Sequence, residues 1–268
     1  MTYKKTSTAL IISALFSTTA ALAHENKDSE CDVALNYDIS LTSDSLVVSD
    51  NGKEKYRIED NKLFVLGKKI PLDSRQSQLL NKYSDEMSDQ VPEVIELVND
   101  AVEMASGAVS IALTPLLGDT AGAKMDDMMK GIEARVAEVA YQNGDEYYLG
   151  ATESTLENVF DEEFEKEIET AVQSSIGSIM MAVGGQLMSS EGGSFEEKIA
   201  SFEKKMEGIG SQIESQVEVQ SANFEQKAEL MCENFKSLAT LEEQVRNEIP
   251  ELADFVVAVN ESEYKNLK

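Results

Sequence analysis

The hydrophobic period of this chain changes once, sharply, near residue 73, and that change constrains the fold more than any other feature. Over residues 31–72, apolar and polar side chains alternate in the short runs "LNYDISL", "SLVVS", "EKYRI", "KLFVLG" and "KKIPL". A period of two puts one set of side chains on each face of a strand, so these runs predict a small antiparallel β-meander. Asn51-Gly52 lies between two runs and suits a type I′ hairpin, and Gly67-Lys68 turns the next pair. Pro71 closes the last strand at a sheet edge, and Asp73 with Gln76 supplies a capping box for a helix.

From Ser74 onward helical periodicity takes over. Pro92 begins a second helix, Pro115 to Gly118 interrupts it, and "QNGDEYYLGAT" reads as a loop with room for one short strand. A third helix is expected over residues 123–141, a fourth over 153–189 and the longest over 195–247. Pro250 stops that helix, and "ELADFVVAV" offers a short last one. The expected fold class is therefore α+β: a small N-terminal β-meander (31–72) followed by a predominantly α-helical bundle with long helices (74–268). Residues 24–268 are expected to form a single mature domain.

The longest helix shows a coiled-coil stripe: Phe195, Ile199, Phe202, Met206, Ile209 and Ile213 alternate spacings of four and three. Val217 then follows after four residues, a stutter, and Gln216 and Gln220 occupy places that should be apolar. Such a polar layer fixes register or partner choice, or else it marks a solvent-exposed gap in the packing. The stripe resumes through Phe224, Met231, Phe235 and Leu238. Two other stretches, "AVEMASGAVSIALTPLLG" and "SIGSIMMAVGGQLM", are rich in small and apolar residues. They fit a tightly packed helical hairpin. They also fit a groove through Met180, Met181 and Met188 that holds apolar segments of other proteins, or lipid tails.

Residues 1–23 have the pattern of a cleavable export signal: Lys4 and Lys5, an apolar run too short to span a membrane, and Ala21-Leu22-Ala23 before the cut. Asp28-Ser29-Glu30 precedes Cys31, which argues against a lipid-anchored cysteine. Export without an anchor implies the periplasm or the medium, with no stable membrane insertion; the family likeness given below favours the periplasm of a Gram-negative bacterium. Cys31 and Cys232 are the two cysteines of the chain, so in an oxidising compartment the expected arrangement is one disulfide between them; two unrelated buried thiols are the alternative. The formal charge of -27 becomes -29 when the signal, with two lysines and no acid, is removed. That charge disfavours nucleic acid and anionic headgroups as ligands and favours cations or basic partners.

Catalytic constellations are scarce. His24 is the sole histidine, which leaves no Ser-His-Asp or Cys-His arrangement within the folded body and no histidine-rich zinc site. Phosphate-cradling glycine motifs are missing, and "DNGKEKYRIED" lacks the ligand spacing of an EF-hand loop. Asp161, Glu165 and Glu169 recur every four residues, a pattern that serves either a solvated helix face or a divalent cation. No catalytic residue, cofactor or metal ligand is assigned.

Cys31 at the head of the meander, "NKLFVLGKKIPLDSRQSQLLNKY" and "MCENFKSLATLEEQVRNEIPEL" together resemble the YggN-like family of gammaproteobacterial periplasmic proteins. The likeness rests on Gly67-Lys68, Leu72, Gln76, Leu79-Leu80 and Tyr83, and then on Cys232 with the Leu241-Glu242 pair. It implies the exported location and the paired cysteines, and it brings no activity. The role expected is non-enzymatic, an envelope interaction or chaperone-like protein with a protein partner. A carboxylate-dependent hydrolase and an acidic cation-binding protein are the alternatives.

Overall fold

A computed structural model describes residues 33–189 and 195–260. The chain order is β1 (Val33–Leu35), β2 (Asp38–Thr42), β3 (Ser45–Asp50), β4 (Lys53–Glu59), β5 (Lys62–Val65), β6 (Lys68–Ile70), α1 (Ser74–Val139), β7 (Ala140–Asn143), β8 (Glu146–Leu149), α2 (Glu153–Val159), α3 (Glu162–Ser189), α4 (Phe195–Glu248) and β9 (Ala258–Asn260). The α+β class is as the sequence predicts. The chain divides into two compact units, one of residues 1–90, 144–159 and 231–268 and the other of residues 91–143 and 160–230.

The first unit is built on a sheet whose strands run in the order β6-β5-β4-β3-β2-β8. Cross-strand register places Ile39, Val48, Tyr56 and Val65 in one row and Leu41, Leu46, Ile58 and Leu63 in the next. All eight are buried, so the period of two seen in the sequence is the buried face of this sheet. Leu80, Tyr83 and Met87 from the start of α1, and Leu238, Leu241, Val245 and Ile249 near the end of α4, complete the core of this unit. Three hairpin turns have two successive residues with positive φ: Asn51-Gly52, Asp60-Asn61 and Leu66-Gly67. Asn51-Gly52 is the type I′ turn expected. The turn expected at Gly67-Lys68 sits one residue earlier, at Leu66-Gly67, because Lys68 already pairs with Val65 and begins β6.

The capping box is present: Asp73 Oδ1 accepts from the Gln76 N–H at 2.8 Å, and Gln76 Oε1 accepts from the Asp73 N–H at 2.9 Å. The same Gln76 donates through Nε2 to the Glu248 carbonyl at 2.7 Å, tying the start of α1 to the last turn of α4. Two expectations are corrected here. "QNGDEYYLGAT" forms the β7–β8 strands with Gly144 at positive φ between them, and "ELADFVVAV" is not a helix. Pro250–Leu252 makes a short 3-10 turn, and the β-branched run after it becomes β9, which pairs antiparallel with β1 in a separate two-stranded sheet. β1 therefore leaves the meander it was expected to join.

In the second unit α1 is assigned as one helical run through Pro92 and through Pro115 to Gly118, so Pro92 does not begin a new helix. Met87, Val91 and Ile95 are buried on either side of Pro92, and this packing offsets the hydrogen bond that proline removes. The run nevertheless reverses. Ser106 Oγ donates to Glu133 at 2.9 Å, whereas 27 residues of straight helix would separate them by about 40 Å. The returning limb lies antiparallel to α3: Arg135 reaches Asp161 and Glu167, while Met125 lines a groove with Ala171, Ser174 and Ser175. The outgoing limb meets α4, where Lys227 bridges Glu96 and Asp100 at 2.7 Å each. Both acids hold the Lys227 ammonium above its ordinary range.

The helix expected over residues 153–189 is two, α2 and α3, because Asp161 caps the second by accepting from the Phe164 N–H at 2.8 Å. The stripe on α4 is unevenly buried. Phe235 and Leu238 are enclosed, Ile209 is buried, and Ile199 and Met206 are more than a third exposed, so the stripe is not a coiled-coil seam along its length.

Candidate functional site

Val172, Ile176, Met180 and Met181, four of the exposed large apolar residues, lie on α3. Its first turn carries Glu162, Glu163 and Glu165, well placed against the positive end of the helix dipole. Arg135 stacks over the Phe164 ring at 4.6 Å and faces Asp161 and Glu167, each at 3.8 Å. Asp161 is thus a cap and an ion-pair partner. Among the described residues, no group of three His, Cys, Asp or Glu stands where it could hold a metal ion, and Asp161, Glu165 and Glu169 form no such site.

Beyond this charged start the character of α3 changes. Residues 170–189 contain no Asp, Glu, Lys or Arg in a chain that is 27% charged. Val172 is 45% exposed, Ile176 54%, Met180 73% and Met181 75%. Spacings of four align Val172, Ile176 and Met180 on one face, with Met181 beside them. The neighbouring hydroxyls are satisfied within the helix: Thr170 donates to the Lys166 carbonyl, Ser175 to Ala171 and Ser178 to Ser174. A partner covering this face would leave none of these three hydroxyls stranded. A Cβ added to Gly177, Gly184 or Gly185 would meet nothing within 4 Å, so packing within the described residues does not require glycine there. At the charged end a groove of about 730 Å³ is lined by Met125, Ala171 and Thr170, with Glu162, Glu163 and Glu167 and one cation, Lys166.

Met180 and Met181 therefore stand on the surface, and the packed-core reading of these two residues is overturned. The side chains of Met188, Gln216 and Gln220 lie outside the described residues, as do Cys31 and His24. Cys232 is buried in the first unit and is not a free thiol.

Two buried carboxyl groups in the first unit were missed by sequence reasoning. Asp38, 1% exposed, accepts from the Ala151 and Thr152 N–H groups and from the Thr152 and Thr155 hydroxyls. Glu242, 2% exposed, accepts from the Val257 and Ala258 N–H groups. Thr152 with Thr155 was legible as a helix start. Glu242 stands out in the sequence only through the Leu241-Glu242 pair of the family likeness, which gives it no role, and is otherwise one acid among many on α4.

Comparison with known proteins adds a family and no function. The model of a family described as a protein of unknown function, DUF2884, matches residues 31–258. No curated protein and no solved structure matches the chain.

Proposed function

The chain belongs to the DUF2884 family of proteins of unknown function, and we propose that it is an exported, non-enzymatic binding protein that holds an apolar segment of a protein partner in the cell envelope. One observation carries this reading: Val172, Ile176, Met180 and Met181 form a largely exposed apolar face on a helix that bears no charge over its last 20 residues. A monomeric surface does not ordinarily keep such residues contiguous without use, and methionine adapts to partners of varied shape. The acid-rimmed groove at the N-terminal end of the same helix adds a preference for a segment with Lys or Arg at one end. The chain's own charge of -27 works against a second copy as the occupant. No helix among the described residues is long and apolar enough to cross a membrane. Export rests on the signal pattern of residues 1–23, and the mature chain is held by a bond between Cys31 and Cys232.

The purified mature protein is expected to slow the aggregation of an unfolded outer-membrane protein at stoichiometric ratios. Replacing both Met180 and Met181 with Glu should abolish this effect while leaving circular dichroism and the unfolding midpoint unchanged, since both side chains already face solvent. Equal protection by wild type and double variant, or none by wild type, would overturn the reading.

A further inference from the structure

On the reading that α3 holds an apolar segment of a protein partner, we infer that the segment is bound as an amphipathic helix, antiparallel to α3, with Lys or Arg in its last turn against Glu162 and Glu163. Its conformation follows from what α3 offers. The main-chain groups along a helix are bonded within it, so the exposed face presents no free N–H or C=O to a partner. The polar side chains beside the face are also committed. Thr170, Ser175 and Ser178 donate to the carbonyls of Lys166, Ala171 and Ser174, and Gln173 donates to Glu169 at 2.9 Å. An extended segment laid here would bury its own N–H and C=O groups without partners, whereas a helix satisfies them internally. Strand addition needs a sheet edge, and α3 has none.

The face also suits a helix in shape. At about 100° per residue, Val172, Ile176, Gly177, Met180, Met181 and Gly184 fall within one half of the circumference, with both glycines between the two methionines. A Cβ at Gly177 or Gly184 would meet nothing within 4 Å. A partner helix can therefore come close to the α3 backbone there, while the flexible methionine side chains fit themselves to its ridges. Charge sets the direction. Glu162 and Glu163 precede Met180 and Met181 by 18 residues, which is five turns, and so lie on the same face about 27 Å away. Both are exposed, and neither makes an ion pair among the described residues; Arg135 faces Asp161 and Glu167 instead. Residues 170–189 carry no charged side chain that would compete for the partner's cations. Cations favour the last turn of a helix, where its dipole is negative, and that end then lies over the acidic, dipole-positive start of α3.

A synthetic amphipathic peptide of about 18 residues is long enough to cover the face. With leucine on one side, glutamine on the other and lysines confined to its last turn, it tests the inference on the purified mature protein by fluorescence anisotropy and circular dichroism. The peptide is expected to gain helicity on binding, and to bind about fivefold more tightly than the same peptide with its lysines in the first turn. A version with prolines at its centre should not bind. Glu162→Lys together with Glu163→Lys should remove the preference between lysine placements, and Met180→Glu with Met181→Glu should abolish binding. Binding of the proline version, equal affinity for both placements, or no gain in helicity would overturn the inference. These wild-type measurements decide it even if the lysine variant does not fold. Partition of the wild type into phosphatidylcholine vesicles, lost in the methionine variant, would assign the face to lipid and overturn it too. Protection against aggregation that persists when the helical peptide fails to bind would remove the helix and leave the binding reading standing; absence of that protection would remove both.

Discussion

Asp38 and Glu242 direct their oxygens at main-chain N–H groups where another stretch of chain enters a helix or a strand: Asp38 at the approach to α2, and Glu242 at the start of β9. For Asp38 the target begins 113 residues away, and the carboxyl group draws the start of α2 against β2. The fit is close: a Cβ on Gly150 would sit 2.7 Å from the Thr155 methyl group, so glycine is required where the chain passes Asp38. Asp38→Ala would strand the Ala151 and Thr152 N–H groups in a buried place and leave the Thr152 and Thr155 hydroxyls only each other and Ser154, and the expected cost is about 3 kcal/mol. Urea unfolding should show it as a lower midpoint at unchanged slope. A loss below about 0.5 kcal/mol would mean that water replaces the carboxyl group. Gln76 makes a related point, because its capping role is local whereas its bond to the Glu248 carbonyl depends on where α4 ends.

Among elements, α3 is the one whose composition its own packing does not explain. Glycine within a helix costs about 1 kcal/mol relative to alanine, yet a Cβ at Gly177 meets open space. Gly177→Ala should therefore stabilise the second unit by about 0.5 to 1 kcal/mol in thermal unfolding. If the exposed face receives a partner's helix at close range, the same change should weaken protection against aggregation. Higher stability with unaltered protection would place the contact elsewhere on the helix. The reversal of α1 belongs to this scale too. Pro115 and Gly118 marked an interruption in the sequence, and the contact between Ser106 and Glu133 shows the chain turning back between them.

On the scale of the whole molecule, the first and last of the described strands, β1 and β9, pair with each other. Leu35 pairs with Ala258, which Glu242 holds. The proposed bond between Cys31 and Cys232 belongs to this scale. Peptide mapping without reductant should join "DSECDV" to "ELMCENF", and either Cys→Ser change should cost roughly 2 to 5 kcal/mol, since the bond closes a long loop. Two alkylatable thiols in the native protein, or a disulfide-linked dimer as the main species, would count against it.

What the sequence determined by itself is what depends on near neighbours. The period-two runs placed the buried rows from Ile39 to Val65, Asn51-Gly52 made the turn its φ preferences allow, Asp73 and Gln76 capped α1, and Pro250 ended α4. The tertiary structure alone decided the rest, because it turned on contacts between residues far apart in the chain. The run after Pro250 became a strand because β1 offered it main-chain partners. Met180 and Met181 face outward, whereas Ala171, Ser174 and Ser175 of the same helix line a groove with Met125 of the returning limb. Glu242 differs from the other acids of α4 only because the C-terminal segment closes over it, removes water and supplies two N–H groups in its place.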